Sequence, residues 1–284
     1  MKLPQFDYAC PTTLAEAVAL LAAREGEAKV IAGGQSLMPM MAFRMARPAL
    51  LVDLRKLPDL SEIRISDDGV RLGALVRWRD IEDDARLDAA HPLLKAAVRH
   101  VAHYQIRNRG TVGGSLAHAD PAAELPGIAV ACEAEISVVG KAGARMIKAV
   151  DFFVGPLTTA LKSDEIITEL RFPPWPKTRR WGFQEFSRRR GDFAMAGAAV
   201  FYDLDGAGKV SNAHIGLIGI GDKPHRLAAM ENALNGQTIK SPLATFEQGV
   251  RDAVAPQDDI HASGQYRRAL AGTLVTRALE DAAR

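Results

Sequence analysis

Cysteine is nearly missing from this chain: Cys10 and Cys132 are the only two among 284 residues. Two distant thiols exclude a disulfide framework, and they exclude any zinc or iron–sulfur site held by cysteines of this chain alone. A reducing compartment, the cytoplasm, is the simpler expectation. An excess of one charge is lacking too, since 36 lysines and arginines face 34 aspartates and glutamates, a net +2. No global field draws the protein to nucleic acid or to an anionic membrane. The one dense basic run, Arg188-Arg189-Arg190, is short. No apolar run approaches a membrane span, and Ile215–Ile220 is brief and contains glycine. The opening Met-Lys-Leu-Pro-Gln-Phe-Asp has no apolar stretch, so no secretion signal is expected.

Two common nucleotide motifs are absent as well. There is no Gly-Lys-Ser/Thr, hence no P-loop. Gly216, Gly219 and Gly221 are wrongly spaced for a Gly-x-Gly-x-x-Gly turn, and Pro224 stands where the third glycine belongs. No nucleophile-and-base arrangement of a hydrolase is visible. The chain is long enough for two domains, and 48 % hydrophobic residues are ample for a core without staples.

Periodicity organises what remains. Phe6–Tyr8 is a short strand, and Thr13-Leu14-Ala15-Glu16 is a capping box opening an amphipathic helix with Leu14, Val18 and Leu21 on one face. Lys29–Ile31 reads as a buried strand, residues 36–45 as a short helix, and Leu50–Leu54 as a strand. Ile63–Ser66 with Val70–Leu72 forms a hairpin, residues 77–102 are helical with a break at Pro92, and residues 105–121 read as loop. A second hairpin spans 135–149, and Ile166–Phe172 is a strand. Pro173-Pro174-Trp175-Pro176 cannot continue a helix or a central strand and marks a boundary. Beyond it, strands are expected at 183–188, 194–203 and 209–220, then helices near 225–235, 241–254 and 264–283. Strands and helices in blocks suggest an α+β fold.

Two glycine-rich segments carry the chemistry. Ala32-Gly33-Gly34-Gln35-Ser36-Leu37 joins a strand to a helix start. Adjacent glycines remove the Cβ atoms that keep ligands off the backbone, and the helix start adds unpaired amides and a positive dipole end. That dipole is worth only about 0.3–1 kcal/mol, so direct hydrogen bonds must dominate. Gly110-Thr111-Val112-Gly113-Gly114-Ser115-Leu116 repeats the pattern with hydroxyls at Thr111 and Ser115. Either pair alone reads equally as a strand-end turn; together they suit the two anionic groups of a diphosphate.

These segments, with Ile106-Arg107-Asn108-Arg109 and Asp120-Pro121-Ala122-Ala123-Glu124-Leu125-Pro126, resemble the FAD-binding medium subunit of molybdenum hydroxylases, the carbon monoxide and xanthine dehydrogenase family. Arg189–Ala194 and Gly219–Arg226 are similar to that family's C-terminal domain, so the resemblance spans the chain. It implies an N-terminal FAD-binding region of two subdomains (PCMH, vanillyl-alcohol-oxidase-like), at residues 1–55 and 56–176. A C-terminal domain, 177–284, would carry a three-stranded antiparallel sheet and helices. FAD would be held non-covalently between them.

The resemblance also implies the cofactor-binding residues. They are Lys29, Val30, Ile31 and the loop Ala32, Gly33, Gly34, Gln35, Ser36, Leu37, with Gly110, Thr111, Gly113, Gly114 and Ser115 on the second segment. Val101, Ala102 and Ile106 would line the flavin pocket, Ala117, His118 and Asp120 would lie beside the cofactor, Glu124 would bind the adenosine ribose, and Ile167 would pack near adenine. Relatives often carry a lysine before the arginine run, where this chain has Gln184 and Glu185. Phe193 is a further candidate for packing near the isoalloxazine.

Other readings stand beside these. His100, His103 and His118 lack a carboxylate at helical spacing to complete a metal site, so no metal is expected. His118 also reads as a loop histidine, Asp120 equally as a helix cap, and Glu124 alternatively as an exposed helix charge. Met38, Met40, Met41 and Met45 suit adaptable packing or a partner surface. The implied role is electron transfer. A small partner subunit would carry [2Fe–2S] clusters, a large one molybdopterin, and the three would form a heterotrimer that dimerises. A stand-alone FAD-dependent oxidoreductase, or a non-enzymatic nucleotide-binding or maturation factor, are the alternatives.

Overall fold

A computed structural model describes residues 2–239 and 243–284 of the chain. Its larger sheets follow one another along the sequence. The first is parallel, with Leu50–Asp53 between Asp7–Ala9 and Ala28–Ile31. Leu50–Asp53 is buried at every position because it is central. Lys29–Ile31, expected to be buried, is instead an edge: Lys29 is exposed, and Val30 and Ile31 are half-buried. The helix Leu14–Ala22 packs Ala17, Val18 and Leu21 against this sheet. Thr13 Oγ1 accepts from the Glu16 amide at 3.2 Å, while Glu16 returns to the amide of Thr12 rather than that of Thr13.

The second sheet is antiparallel, in the order Ile63–Ser66, Gly69–Gly73, Ile166–Phe172, Glu135–Gly140, Gly143–Lys148. Its inward side chains, with the helices between residues 78 and 131, make the largest core. The helical stretch expected over 77–102 is three short helices, Trp78–Asp83, Leu87–Ala90 and Pro92–Val98. The first interruption is held by Arg86 folding back onto Asp84, at 2.6 Å; the second is Pro92 starting a new helix. Residues 105–121, expected to be loop, contain Tyr104–Arg107 and Val112–His118 as helices. The glycines concealed the second: Gly113 and Gly114 lie in its first turn, where Thr111 caps by accepting from the Gly114 amide at 3.1 Å.

The third sheet is antiparallel, Arg180–Phe186, Ala196–Leu204, Val210–Ile218 and then His225–Arg226. Three long strands are present, and the two-residue fourth extends the sheet at a place expected to be helical; the helix there begins at Ala228. The helix Ala244–Asp252 is shorter than the 241–254 expected, and residues 240–242 of that expectation lie outside the described residues. The helix Leu37–Ala42 likewise ends early, where Arg44 turns to φ +64°. The helix Gly264–Ala283 covers one face of the third sheet and closes a second core. The other face meets the helix Glu124–Ala131, all eight residues of which are buried.

The proline-rich boundary is pinned rather than loose. Trp175 lies 4.6 Å from the His91 ring and 5.2 Å from Phe201, and the Arg179 guanidinium sits over both Trp175 and Phe201. Arg179 is fixed in turn by a two-pronged contact to Asp203.

Candidate functional site

The two glycine segments meet. A Cβ built on Gly33 would lie 2.0 Å from the carbonyl oxygen of Arg109 and 3.0 Å from Gly110 Cα, so only glycine permits the contact. Gly34 has φ +72°, a left-handed conformation that turns the chain from strand to helix. Among the described residues no acceptor takes up the amides of Gly33, Gly34, Gln35 or Ser36. Gln35 bends its side-chain amide back to donate to the Gly33 carbonyl at 3.0 Å. A cavity of about 240 Å³ opens against Ala32, Gly33, Arg109 and Thr111; Arg77 adds positive charge to its wall, while Arg55, also on the wall, is paired with Asp53 through Nε at 2.7 Å.

The second segment differs from the first. Its amides are already used: Val112 donates to Val76, Gly113 to Ala74, Gly114 to Thr111 Oγ1 and Ser115 to the Thr111 carbonyl. A Cβ on Gly113 would lie 2.7 Å from that of Ala74, so this glycine serves helix packing. Gly114 and Ala117 are exposed, and Ser115 and His118 are half-buried, which leaves the surface of this helix rather than its amides available to a ligand.

Val101 and Ile167 are buried in the main core, and Ile106 is half-buried. Ala102 takes φ +42°, held where Arg107 donates to the carbonyls of Val101 and Ala102, each at 3.0 Å. Asp120 accepts from the Ala122 amide at 2.9 Å and so turns the chain before the next helix. Phe193 is 64 % exposed.

Glu124 is buried, not the exposed helix charge that its position suggested. Burial, with repulsion from Asp120, pushes its carboxyl up to about 7. Glu185 stands nearby, and burial together with the Glu124 charge raises it to about 8. His100, weighed above as one of a metal trio, instead brings Nδ1 to 3.7 Å from Glu185 Oε1. No local motif marked Arg55, Arg77 or the His100–Glu185 pairing; each depends on residues distant in sequence.

Residues 4–175 match the family described as the FAD binding domain in molybdopterin dehydrogenase, and residues 181–282 match the CO dehydrogenase flavoprotein C-terminal domain. The chain belongs to the FAD-binding medium subunits of the molybdenum hydroxylases. It is 40 % identical over 283 residues to the alpha subunit of the 6-hydroxypseudooxynicotine dehydrogenase complex of Paenarthrobacter nicotinovorans, covering 99 % of this chain and 96 % of that one. It is 39 % identical to the nicotine 6-hydroxylase medium subunit of the same organism, with 99 % of each covered. In structure it is similar to a chain of carbon monoxide dehydrogenase from Hydrogenophaga pseudoflava, with a TM-score of 0.95 at 35 % identity, covering 99 % of this chain and 98 % of that one.

The residues of this medium subunit fit the flavin nucleotide. The loop at 33–36 offers unclaimed main-chain donors, and Gly33 lines a cavity that Arg77 also borders. Subunits of this family work within complexes that have large and small partners. Among the described residues, no helix is long and apolar enough to cross a membrane.

Proposed function

We propose that the chain is the FAD-carrying electron-transfer subunit of a cytoplasmic molybdenum hydroxylase, assembled as a dimer of heterotrimers. Bound FAD would take electrons one at a time from [2Fe–2S] clusters of the small partner and release them to an external acceptor. The observation that carries this reading is the unclaimed amide row of Gly33–Ser36, closed against Arg109, in a chain matched end to end by medium subunits.

Each group has a distinct part in holding the cofactor. The amides of Gly33, Gly34, Gln35 and Ser36 would hydrogen-bond the diphosphate, and Arg77 would lower the cost of gathering its charge. Thr111 and Ser115 add their segment's outer surface, with Gly110, Gly113 and Gly114 shaping it. Lys29, Val30, Ile31, Ala32 and Leu37 flank the first loop, and Ala117, His118 and Asp120 flank the second. Val101, Ala102 and Ile106 exclude water from the flavin, and Ile167 packs toward the adenine end. Glu124, at the start of its helix, would bind the adenosine ribose. Residues 1–55 and 56–176 form the binding region and 177–284 the closing domain.

Substrate choice falls to the large partner, and relatives accordingly bear names as different as nicotine 6-hydroxylase and carbon monoxide dehydrogenase. The test is co-purification with its partners followed by the visible spectrum of the isolated chain. A yellow chain with one FAD per copy is expected. A colourless chain that cannot be reconstituted with FAD overturns the proposal.

A further inference from the structure

The helix Glu124–Ala131 and the strand Val210–Ile218 meet with glycine at two contact points. A Cβ on Gly216 would lie 2.6 Å from that of Ala131, and one on Gly127 would lie 2.4 Å from Ile218 Cγ1. His214 stands where the helix ends. It is 6 % exposed, and its ring stacks at 4.2 Å on Phe201, the residue opposite it in the sheet. Both ring nitrogens face oxygen: Nδ1 lies 2.8 Å from the Ala131 carbonyl, and Nε2 lies 3.1 Å from Asn212 Oδ1. The Asn212 amide is itself oriented by a third group. Its Nδ2 donates to Asp203 Oδ2 at 2.9 Å, and that carboxylate, which also takes both prongs of Arg179, can only accept. Burial raises the Asp203 carboxyl, but the bonds from Arg179 and Asn212 outweigh it and hold the group below its ordinary value. A register shift between Phe201 and Asp203 accompanies the left-handed Asn212, at φ +51°, and sets its side chain between the two groups.

A neutral imidazole has one N–H and one lone pair. In either tautomer that lone pair would confront an oxygen, of Asn212 or of Ala131; only the imidazolium donates to both. The surrounding charges suit a cation. Arg179 and Arg226 stand against Asp203, Glu133 and Glu231, so one proton on His214 balances the group. Ala131 is the last residue of its helix, the end at which carbonyls favour positive charge. The neighbouring Cys132 thiol is pushed up by burial and stays neutral. Burial, with Arg226, lowers the imidazole from its ordinary value, against the Ala131 carbonyl, Glu133 and Glu231. Asn212 opposes that loss, because relief of the lone-pair contact requires its amide to turn over. The amide would then offer Nδ2 to the ring and Oδ1 to the Asp203 carboxylate, exchanging a charge-assisted bond for a contact between two acceptors.

We infer that His214 and Asn212 form a proton-operated clasp between the helix Glu124–Ala131 of the binding region and the closing domain. With the proton on, an unbroken chain of hydrogen bonds runs from the Ala131 carbonyl through His214, Asn212 and Asp203 to Arg179. Arg179 in turn lies over Trp175 in the proline-rich boundary. With the proton off, the Nε2–H bond is broken, its proton passes to water at the exposed Asn212, and the amide turns to donate to Nε2. Nδ1–H keeps its bond to Ala131, and the chain parts between Asn212 and Asp203. The clasp stands on this geometry alone and does not depend on the FAD reading.

Nitrogen NMR of the full chain, labelled at histidine and asparagine and titrated from about pH 5 to about pH 8.5, tests the clasp. The His214 ring nitrogens and the Asn212 side-chain amide should move with one midpoint, Nε2 losing its proton while Nδ1 keeps its own. Asn212→Gly suits the left-handed backbone and removes the acceptor. It should weaken the hold of His214 on its proton by at least about threefold, a midpoint lower by about half a pH unit. The Trp175 indole signal should follow the wild-type midpoint and stay still in His214→Phe, which keeps a ring on Phe201. A His214 that is neutral throughout, an Asn212 amide that ignores the titration, or an indole signal unmoved in the wild type overturns the clasp. So does an Asn212→Gly chain that folds and titrates as the wild type does.

Discussion

Gly33 and Arg109 are in contact backbone to backbone, with room for nothing larger than hydrogen on the glycine. This contact joins a loop from the first sheet to a helix end of the second region, and the candidate diphosphate site opens at the junction. Gly33→Ala should therefore part the two segments and weaken FAD binding by at least about tenfold, a loss near 1.4 kcal/mol. Flavin absorbance per chain after dialysis measures it. Gly206→Ala, where a Cβ meets nothing within 4 Å, is the control and should retain full flavin.

Thr111 has a structural duty as well as a place at the site. Its hydroxyl caps the helix Val112–His118, and Thr111→Val removes that acceptor while keeping the volume. A loss of about 1 kcal/mol in unfolding free energy is expected, and Thr111→Ser should recover most of it. Equal denaturant midpoints for wild type and Thr111→Val would disprove the cap.

Trp175 ties the proline-rich segment to His91 on one side and to Arg179 and Phe201 on the other. Trp175→Ala should cost about 2 kcal/mol, below the usual figure for a buried aromatic because Trp175 is only half-buried. Chemical denaturation followed by circular dichroism reads the change. A variant as stable as the wild type would show that the segment is merely resting on the surface.

Stability should depend on pH in two opposing ways. Burial raises Glu185 to about 8 and Glu124 to about 7, so the folded chain keeps protons that ordinary carboxyls in the unfolded chain have already released. That contribution is full below the ordinary carboxyl range and is lost as pH rises through about 7 and 8. Burial depresses His91 from 6.5 to about 3, so its contribution is full above the ordinary imidazole range and is lost as pH falls toward 3. The alkaline decline in melting temperature should be shallower in Glu185→Gln than in the wild type. Parallel curves would show that Glu185 is ionised in the folded state.

Much of the fold was legible in local pattern. The strand Ile166–Phe172, both hairpins of the second sheet and the Thr13 cap follow from alternation and capping chemistry that act within a few residues. Glycine misled the reading of residues 105–121, since its poor helix propensity is outweighed at Gly113 by close packing on Ala74. The strand at Lys29–Ile31 was recognisable, but not its place at a sheet edge, which depends on the order in which Leu50–Asp53 inserts.

By itself, the sequence determined the two glycine pairs, the absence of internal cysteine ligands and the family to which the chain belongs, because each resides in residue types at short spacing. Tertiary structure alone decided that Gly33 closes on Arg109, that one segment keeps its amides free while the other spends them on Val76, Ala74 and Thr111, and that Glu124 is buried while Glu185 faces His100. Those features arise from packing between segments tens of residues apart, where burial and proximity, rather than residue identity, set the charge a side chain carries.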